Sequence, residues 1–177
     1  LQSEISIVFT GAIYHVNFGA FRNLIDAPRQ ISANIKINIY TAQPMEWLEQ
    51  NGVTGEQVVQ YPHSIHAEVI EAQNQAHILF LPFSFNSPMP EVIQTSSPGK
   101  TGEYLACGAP ILAHVPPESF VSWYFKKYNC GYVVDVDDVD VLKKAVNEII
   151  NNLDLRRNLS SNAKERARLD FDPLLSS

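Results

Sequence analysis

With 177 residues, the chain has the length of one well-buried domain and is short for two. Apolar residues make up 45% and charged residues 18% of it, a composition typical of a globular fold. The 13 basic and 19 acidic side chains give a net charge of −6, and no Lys/Arg cluster is present. This charge pattern argues against electrostatic binding to nucleic acid or to an anionic membrane.

Cysteine usage and the absence of targeting signals indicate the cellular compartment. Cys107 and Cys130 are far apart in sequence, and we expect two reduced thiols. No segment approaches the roughly 20 apolar residues of a membrane span, and Leu1–Glu4 lacks the basic start of a signal peptide. We therefore expect a soluble, cytoplasmic chain, with any peripheral membrane association of the full protein arising outside this sequence.

Six short runs rich in β-branched and aromatic residues are predicted strands. In chain order they are Ile5–Thr10, Ile35–Thr41, Gln57–Tyr61, Ile78–Pro82, Ile111–Val115 and Tyr132–Val136. Several are apolar almost throughout, which is typical of parallel strands covered by helices on both faces. Strands alternating with helices predict a doubly wound α/β fold, with a parallel six-stranded, Rossmann-like sheet.

The segments between the strands repeat apolar residues with the period of a helix. The residues expected to face inward are Ile65, Val69, Ala72 and Ala76, then Phe120, Trp123, Tyr124 and Tyr128, then Leu142, Ala145, Val146, Ile149, Ile150 and Leu153. Ser64 is a candidate cap of the first of these helices, and Asp137 or Asp138 of the third. A final helix is predicted from about Asp154 to Leu169.

Ligands of open α/β sheets bind beyond the carboxyl ends of the strands. The loops after Thr10, Tyr61, Leu81 and Val115 are therefore the expected location of a site. The segment Phe83–Ser97 is predicted to be a long loop, and long ordered loops in compact domains are usually functional.

A short helix is predicted within the segment that begins at Ser97. Ser97 is a candidate N-cap with Pro98 at the first helical position, while Gly108 and Pro110 are expected to end the helix. Free backbone N–H groups at its start, including that of Gly99, would form a site for a diphosphate together with the helix dipole.

Lys100 and Glu103 are three residues apart and share a face of this helix. The ammonium would suit phosphate oxygens, and the carboxylate could accept hydrogen bonds from two ribose hydroxyls. The same spacing also fits a surface ion pair on a packing helix, and spacing alone does not decide between them.

The run Lys-x-x-Glu-Tyr-Leu-Ala-x-Gly-x-Pro-Ile-Leu, from Lys100 to Leu112, resembles the donor-site helix of family 4 glycosyltransferases. The resemblance implies a retaining, metal-independent enzyme of the two-domain GT-B fold, in which Glu103 holds the ribose of the nucleotide. It implies no metal and no cofactor, with a nucleoside diphosphate sugar as donor substrate. Residues 1–177 would be the donor-binding domain, and the N-terminal acceptor-binding domain would be absent from this chain.

The resemblance extends over nearly the whole sequence. The family's first donor-domain strand and its glycine turn, where the backbone lies against the diphosphate, are similar to Ile7–Gly11. Weaker similarities are found at Ala76–Pro82, at Gly131–Val134 and in the helix Val139–Asn151.

Two departures from the family pattern concern charge. The first of the family's two glutamates, which touches the transferred sugar, is replaced by Thr95. The family carries an Arg just after the glycine, where this chain has Ala12. The Lys that the family carries about five residues later corresponds to Asn17 or Phe18 in this chain. A retaining transferase must stabilise negative charge on the leaving diphosphate, so Lys100 and the helix start would have to supply more of it.

The predicted donor site comprises Gly11, Ala12, His63, Ser97, Pro98, Gly99, Lys100 and Glu103. His63 follows the third strand and is expected to face the nucleotide, although an exposed histidine at a helix start is the alternative. No catalytic residue can be named in this half. The alternatives to a transferase are a sugar-nucleotide epimerase of the same fold and a degenerate, non-catalytic nucleotide-binding domain.

Overall fold

Strands and helices follow one another along residues 3–31, 34–95 and 100–171, which the computed structural model describes. The strands are β1 (Ile5–Thr10), β2 (Ile35–Tyr40), β3 (Val58–Tyr61), β4 (Ile78–Pro82), β5 (Ile111–His114) and β6 (Tyr132–Val134). The helices are α1 (Phe18–Asp26), α2 (Met45–Gln50), α3 (His66–Gln75), α4 (Pro90–Thr95), α5 (Lys100–Cys107), α6 (Phe120–Tyr128), α7 (Val139–Asn151) and α8 (Leu153–Asp170). A 3-10 turn, Ala27–Gln30, follows α1.

All six strands form one parallel sheet in the order β3-β2-β1-β4-β5-β6. The predicted doubly wound α/β fold is confirmed. The chain runs outward from β1 to β3 and then returns to the other side of β1 with β4. The order therefore reverses between β1 and β4, which is where open α/β sheets bind ligands.

The central strands are buried on both faces because successive side chains point to opposite sides. In β1, Ile7 and Phe9 belong to the core cluster that α1 and α7 cover. Val8, between them, belongs to the cluster on the other face, which α5, α6 and α8 cover. The continuous apolar runs in the sequence thus reflect two cores on either side of one sheet.

The predicted ends of several elements are corrected by one or two residues, as is usual where strands leave the sheet. Thr41, Val115 and Val136 lie beyond the carboxyl ends of β2, β5 and β6. The predicted loop after β4 contains a short helix, α4, because Ile93 is 2% exposed and packs into the second cluster.

Helix α3 agrees in part with the predicted stripe, because Ala72 and Ala76 pack against the core and Val69 is half-buried. Ile65 precedes the helix and is 63% exposed, and no side chain, including that of Ser64, caps the first turn. The buried residue of α3 is Gln73, because its amide contacts polar groups at the end of β1 and on α5. In α6, Trp123 is likewise exposed whereas Tyr124 is buried.

The two C-terminal helices agree with the sequence prediction except at Leu153, which was expected to face inward but begins α8 and is 49% exposed. The Asp138 side chain caps α7 by accepting hydrogen bonds from the backbone N–H groups of Asp140 and Val141. Helix α8 buries Leu159 and Ala163. None of the helices in the described ranges combines the length and apolar character that crossing a bilayer requires.

His114, at the end of β5, is fully buried and uses both ring nitrogens. Nδ1 lies 2.9 Å from the Val134 carbonyl oxygen and Nε2 lies 2.9 Å from Asn23 Nδ2. The ring therefore donates from Nδ1 to the carbonyl and accepts at Nε2 from the amide, which is the neutral form. Burial lowers the pKa of His114, against the opposing effects of the Val134 bond and of Asp137.

We predict that His114 makes the fold less stable in mild acid. Because its folded pKa is below the unfolded value of about 6.5, the unfolded chain binds a proton that the native state does not, once the pH falls below that value. Urea unfolding at pH 7.5 and 5.5 should show a smaller loss of stability in His114→Gln than in the wild type. The exposed residue His15 gives a control, His15→Gln, that should behave as the wild type; equal losses in all three proteins would contradict the prediction.

Candidate functional site

The turn after β1 forms the floor of the candidate site. Gly11 has φ 127°, a conformation that residues with a side chain rarely adopt, and its N–H donates to the Tyr40 carbonyl at 2.9 Å. Farther along, the Asn17 side-chain amide donates to the Pro82 carbonyl at 2.9 Å. The turn is therefore fixed to both neighbouring strands at the point where the strand order reverses.

Helix α5 forms one wall, and Tyr104 positions it. The Tyr104 side chain is fully buried, and its hydroxyl accepts a hydrogen bond from the Thr10 N–H at 3.2 Å. Burial raises the pKa of Tyr104, so the phenol stays protonated. This bond joins α5 to the end of β1 and places Lys100 and Glu103 beside the Gly11 turn.

The Lys100 ammonium lies at this turn, against the ring of Phe9. Its Nζ is 3.8 Å from the centroid of the Phe9 ring, and a Cβ atom added to Gly11 would lie 2.8 Å from it. No carboxylate forms an ion pair with it among the described residues. Burial lowers the pKa of Lys100 to about 8, which the charge of Glu103 only partly opposes. A buried cation without a counter-ion favours binding of an anion.

Glu103 is half-buried and is oriented by α3. Its Oε2 accepts a hydrogen bond from Gln73 Nε2 at 3.4 Å, and the same amide nitrogen donates to Thr10 Oγ1 at 2.9 Å. The described contacts include no partner for Oε1. One carboxylate oxygen is therefore held and the other remains available to a ligand.

These groups surround a cavity of about 530 Å³ at the carboxyl edge of the sheet. It is lined by Thr10, Gly11, Ala12, Tyr14, Tyr40, Val69, Lys100 and Glu103. A second cavity of about 300 Å³ lies between α3 and α5, and Glu103 lines both. The site thus offers a cation, a carboxylate and an exposed turn, which suit phosphate oxygens and vicinal hydroxyls.

Two tyrosines extend one side of the larger cavity. The rings of Tyr40 and Tyr61 are stacked, with centroids 4.4 Å apart and planes 7° from parallel. Burial is the largest cause of a raised pKa of Tyr40. Electrostatic interactions with Tyr61, Glu68 and Glu71 raise this pKa further. The pair presents a neutral aromatic surface at the ends of β2 and β3.

The structure brings four of the predicted site residues together: Gly11, Ala12, Lys100 and Glu103 line the larger cavity. His63 is exposed and lines neither this cavity nor the one between α3 and α5. The predictions at Ser97, Pro98 and Gly99 lie outside the described residues.

Sequence reasoning missed Tyr40 and Gln73. Gln73 is four residues after Val69, which lines the cavity, so the two share a helix face. That spacing is the signal in the sequence that indicates Gln73. The apolar residues of the same helix give a stronger periodic pattern, which does not include Gln73. Tyr40 lies near the end of a predicted strand, and the strand pattern does not indicate that its side chain lines the cavity.

Comparison with protein families gives one decisive match. The sequence profile of the family Glycosyl transferases group 1 matches residues 45–166, more than half of the chain. The chain belongs to this family. The match includes β3, β4 and α5, and therefore Lys100 and Glu103. Among curated proteins, sequence comparison finds no match.

Solved structures show that the chain has the fold of a GT-B glycosyltransferase domain. Anabaena HepE in complex with UDP-glucose has a TM-score of 0.70 and 14% identity, over 98% of this chain and 46% of HepE. Sucrose-phosphate synthase from Thermosynechococcus elongatus has a TM-score of 0.68 and 16% identity, over 96% of this chain and 42% of the synthase.

A third structure is itself a C-terminal domain. The C-terminal domain of LpcC, a glycosyl transferase group 1 family protein from Francisella tularensis, has a TM-score of 0.63 and 12% identity. The match covers 94% of this chain and 85% of that domain. The present chain thus spans less than half of HepE and of the synthase, but most of an isolated C-terminal domain.

We predict that Gly11→Ala destabilises the fold and displaces Lys100. The side chain would impose a strained backbone and would contact Nζ, so we expect a loss of about 1–3 kcal/mol in the free energy of unfolding. Gly19→Ala is the matched control, because Gly19 lies within α1 and an added Cβ there would meet only the Ser84 side chain, at 3.4 Å. Urea unfolding that ranks the two variants equally would contradict the prediction.

Proposed function

We propose that this group 1 glycosyl transferase is the donor-binding domain of a retaining, family 4 enzyme. Its substrate is a nucleoside diphosphate sugar, from which the sugar is transferred to an acceptor. The observation that supports this most directly is the placement of Lys100 and Glu103 on one cavity beside the Gly11 turn. That cavity lies at the reversal of strand order, where α/β domains bind nucleotides.

In this proposal Lys100 binds the diphosphate. Lys100 is half-buried, its ammonium has no counter-ion among the described residues, and the side chain lines both the larger site cavity and a small one behind the turn. The family places basic residues on the turn itself, whereas this chain has Ala12 there. The cation that neutralises the leaving diphosphate would therefore come from α5.

Glu103 binds the ribose in the same proposal. A carboxylate oxygen without a protein partner can accept hydrogen bonds from neighbouring hydroxyls, and such charge-assisted bonds are stronger than neutral ones. Glu103 lines both cavities, and Lys100 lines the larger one. A nucleotide with its nucleoside at Glu103 and its diphosphate at Lys100 would therefore extend through the larger cavity.

Transfer with retention requires no protein base in this domain. The diphosphate leaves from the sugar as the acceptor hydroxyl attacks from the same face, and a donor phosphate oxygen takes the hydroxyl proton. Lys100 would stabilise the charge that develops on the leaving group. The acceptor is expected to be held by an N-terminal domain, and a cytoplasmic location remains a prediction.

A non-catalytic nucleotide-binding domain is the second candidate. The observation that favours it is Ala12, which is exposed and lines the cavity where the family carries an arginine. Incubating the full-length protein with UDP-glucose, with and without candidate acceptors, separates the functions. Transfer only with an acceptor supports the transferase, epimerised nucleotide sugar without an acceptor indicates an epimerase, and binding without turnover indicates the non-catalytic domain.

We predict that Glu103→Ala weakens the binding of UDP-glucose at least about tenfold, because charge-assisted bonds to hydroxyls are lost. Titration calorimetry measures the affinity. The matched control is Glu165→Ala, which removes an exposed carboxylate from α8 and should leave binding unchanged. Equal affinities of Glu103→Ala and wild type would remove Glu103 from the donor site.

We predict that UDP-glucose binds more weakly as the pH rises above about 8, because Lys100 then loses its proton in the free protein. Below that pH the ammonium is already present, so this group causes no further change. The affinity should fall between pH 8 and 9, with proton uptake on binding detectable by calorimetry in buffers of different ionisation enthalpy. Lys100→Arg keeps its charge and should show no such fall; the same fall in both proteins would contradict the role of Lys100.

A further inference from the structure

Helix α3 carries a buried polar residue where an apolar one would be expected. Gln73 is 1% exposed and is the one residue of α3 that is buried. A buried amide lowers stability unless its donors are satisfied. Both of its N–H groups have partners, Thr10 Oγ1 at 2.9 Å and Glu103 Oε2 at 3.4 Å. The Gln73 side chain therefore makes polar contacts at a buried position where apolar packing is usual.

These contacts connect three elements at the edge of the cavity. Thr10 ends β1, Gln73 lies on α3 and Glu103 lies on α5. The Gln73 carbonyl also accepts a hydrogen bond from the Cys107 thiol, at 3.1 Å, which fixes the backbone of α3 relative to α5. Because Thr10 holds the amide in place, the amide has a defined direction toward Glu103.

We infer that Gln73 is a positioning residue, which holds Oε2 of Glu103 so that Oε1 is presented to the ribose hydroxyls of the donor. The inference rests on the proposed role of Glu103. Without the amide, the carboxylate would lose its described hydrogen bond and could rotate away from the cavity. Gln73 itself acts only through Glu103.

The test compares two ligands that differ in the ribose hydroxyls, UDP and its 2′,3′-dideoxy analogue, by titration calorimetry on the chain. The wild type should bind UDP about tenfold more tightly, because the analogue cannot donate to the carboxylate. In Gln73→Met, which keeps the side-chain length but removes the donors, this preference should shrink to about threefold or less. Affinity for the analogue should stay within about twofold of the wild type.

The exposed residue Gln75 provides the matched control on the same helix, where its amide contacts Glu71. Gln75→Met should retain the full preference for UDP. If Gln73→Met weakens both ligands equally, Gln73 has only a structural role and the inference is overturned. If the wild type binds UDP but does not prefer it to the analogue, the ribose role of Glu103 and the inference fail together. If neither ligand binds, the proposed nucleotide site itself is wrong.

A second variant gives a readout that loss of stability would not produce. Gln73→Glu places a second carboxylate beside Glu103, and two adjacent carboxylates share a proton at low pH but repel when both are ionised. The preference for UDP over the dideoxy analogue in this variant should therefore rise by at least about fivefold from pH 8 to pH 5.5, whereas in Gln75→Glu it should stay constant. Parallel pH profiles in the two variants would overturn the inference.

Discussion

The interaction on which the site depends is the contact of the Lys100 ammonium with the Phe9 ring over the bare Gly11 turn. Phe9 is a core residue of the central strand, so the charge rests on the end of the hydrophobic core. Holding a cation there costs solvation energy, which the lowered pKa reflects. The arrangement requires glycine at position 11, which ties the geometry of the turn to the position of the charge.

A second constraint is the saturation of hydrogen-bonding groups around the end of β1. The Thr10 N–H donates to the Tyr104 hydroxyl, and the Thr10 hydroxyl oxygen accepts from the Gln73 amide. The Gly11 N–H donates to the Tyr40 carbonyl. Since these groups have protein partners, they are not free to meet a ligand, whereas among the described residues α5 offers the Lys100 ammonium and one carboxylate oxygen of Glu103. The core of the domain and its site chemistry are thus connected through a few buried polar contacts.

The fold could be predicted from the sequence because the central strands β1 and β4 are apolar on both faces and each connection is long enough for a helix. Lys100 and Glu103 could be predicted as a pair because their spacing places them on one helix face. Gln73 is harder to predict, because its spacing from Val69 indicates a shared helix face but not that its hydrogen-bond partners lie on β1 and α5. Ile65 is exposed for a different reason: α3 begins one residue after it, and periodicity alone does not fix the end of a helix.

The walls of the cavity differ in how firmly they are anchored. Helix α5 buries Tyr104 and Leu105 fully in the core, whereas the one fully buried side chain of α3 is an amide held by hydrogen bonds and its apolar residues, such as Ala72, are half-buried. Apolar burial resists local opening more strongly than a few polar contacts do, so α3 is the compliant side of the cleft. Binding of a bulky ligand would therefore displace α3, whereas Lys100 on the opposite wall would keep its position.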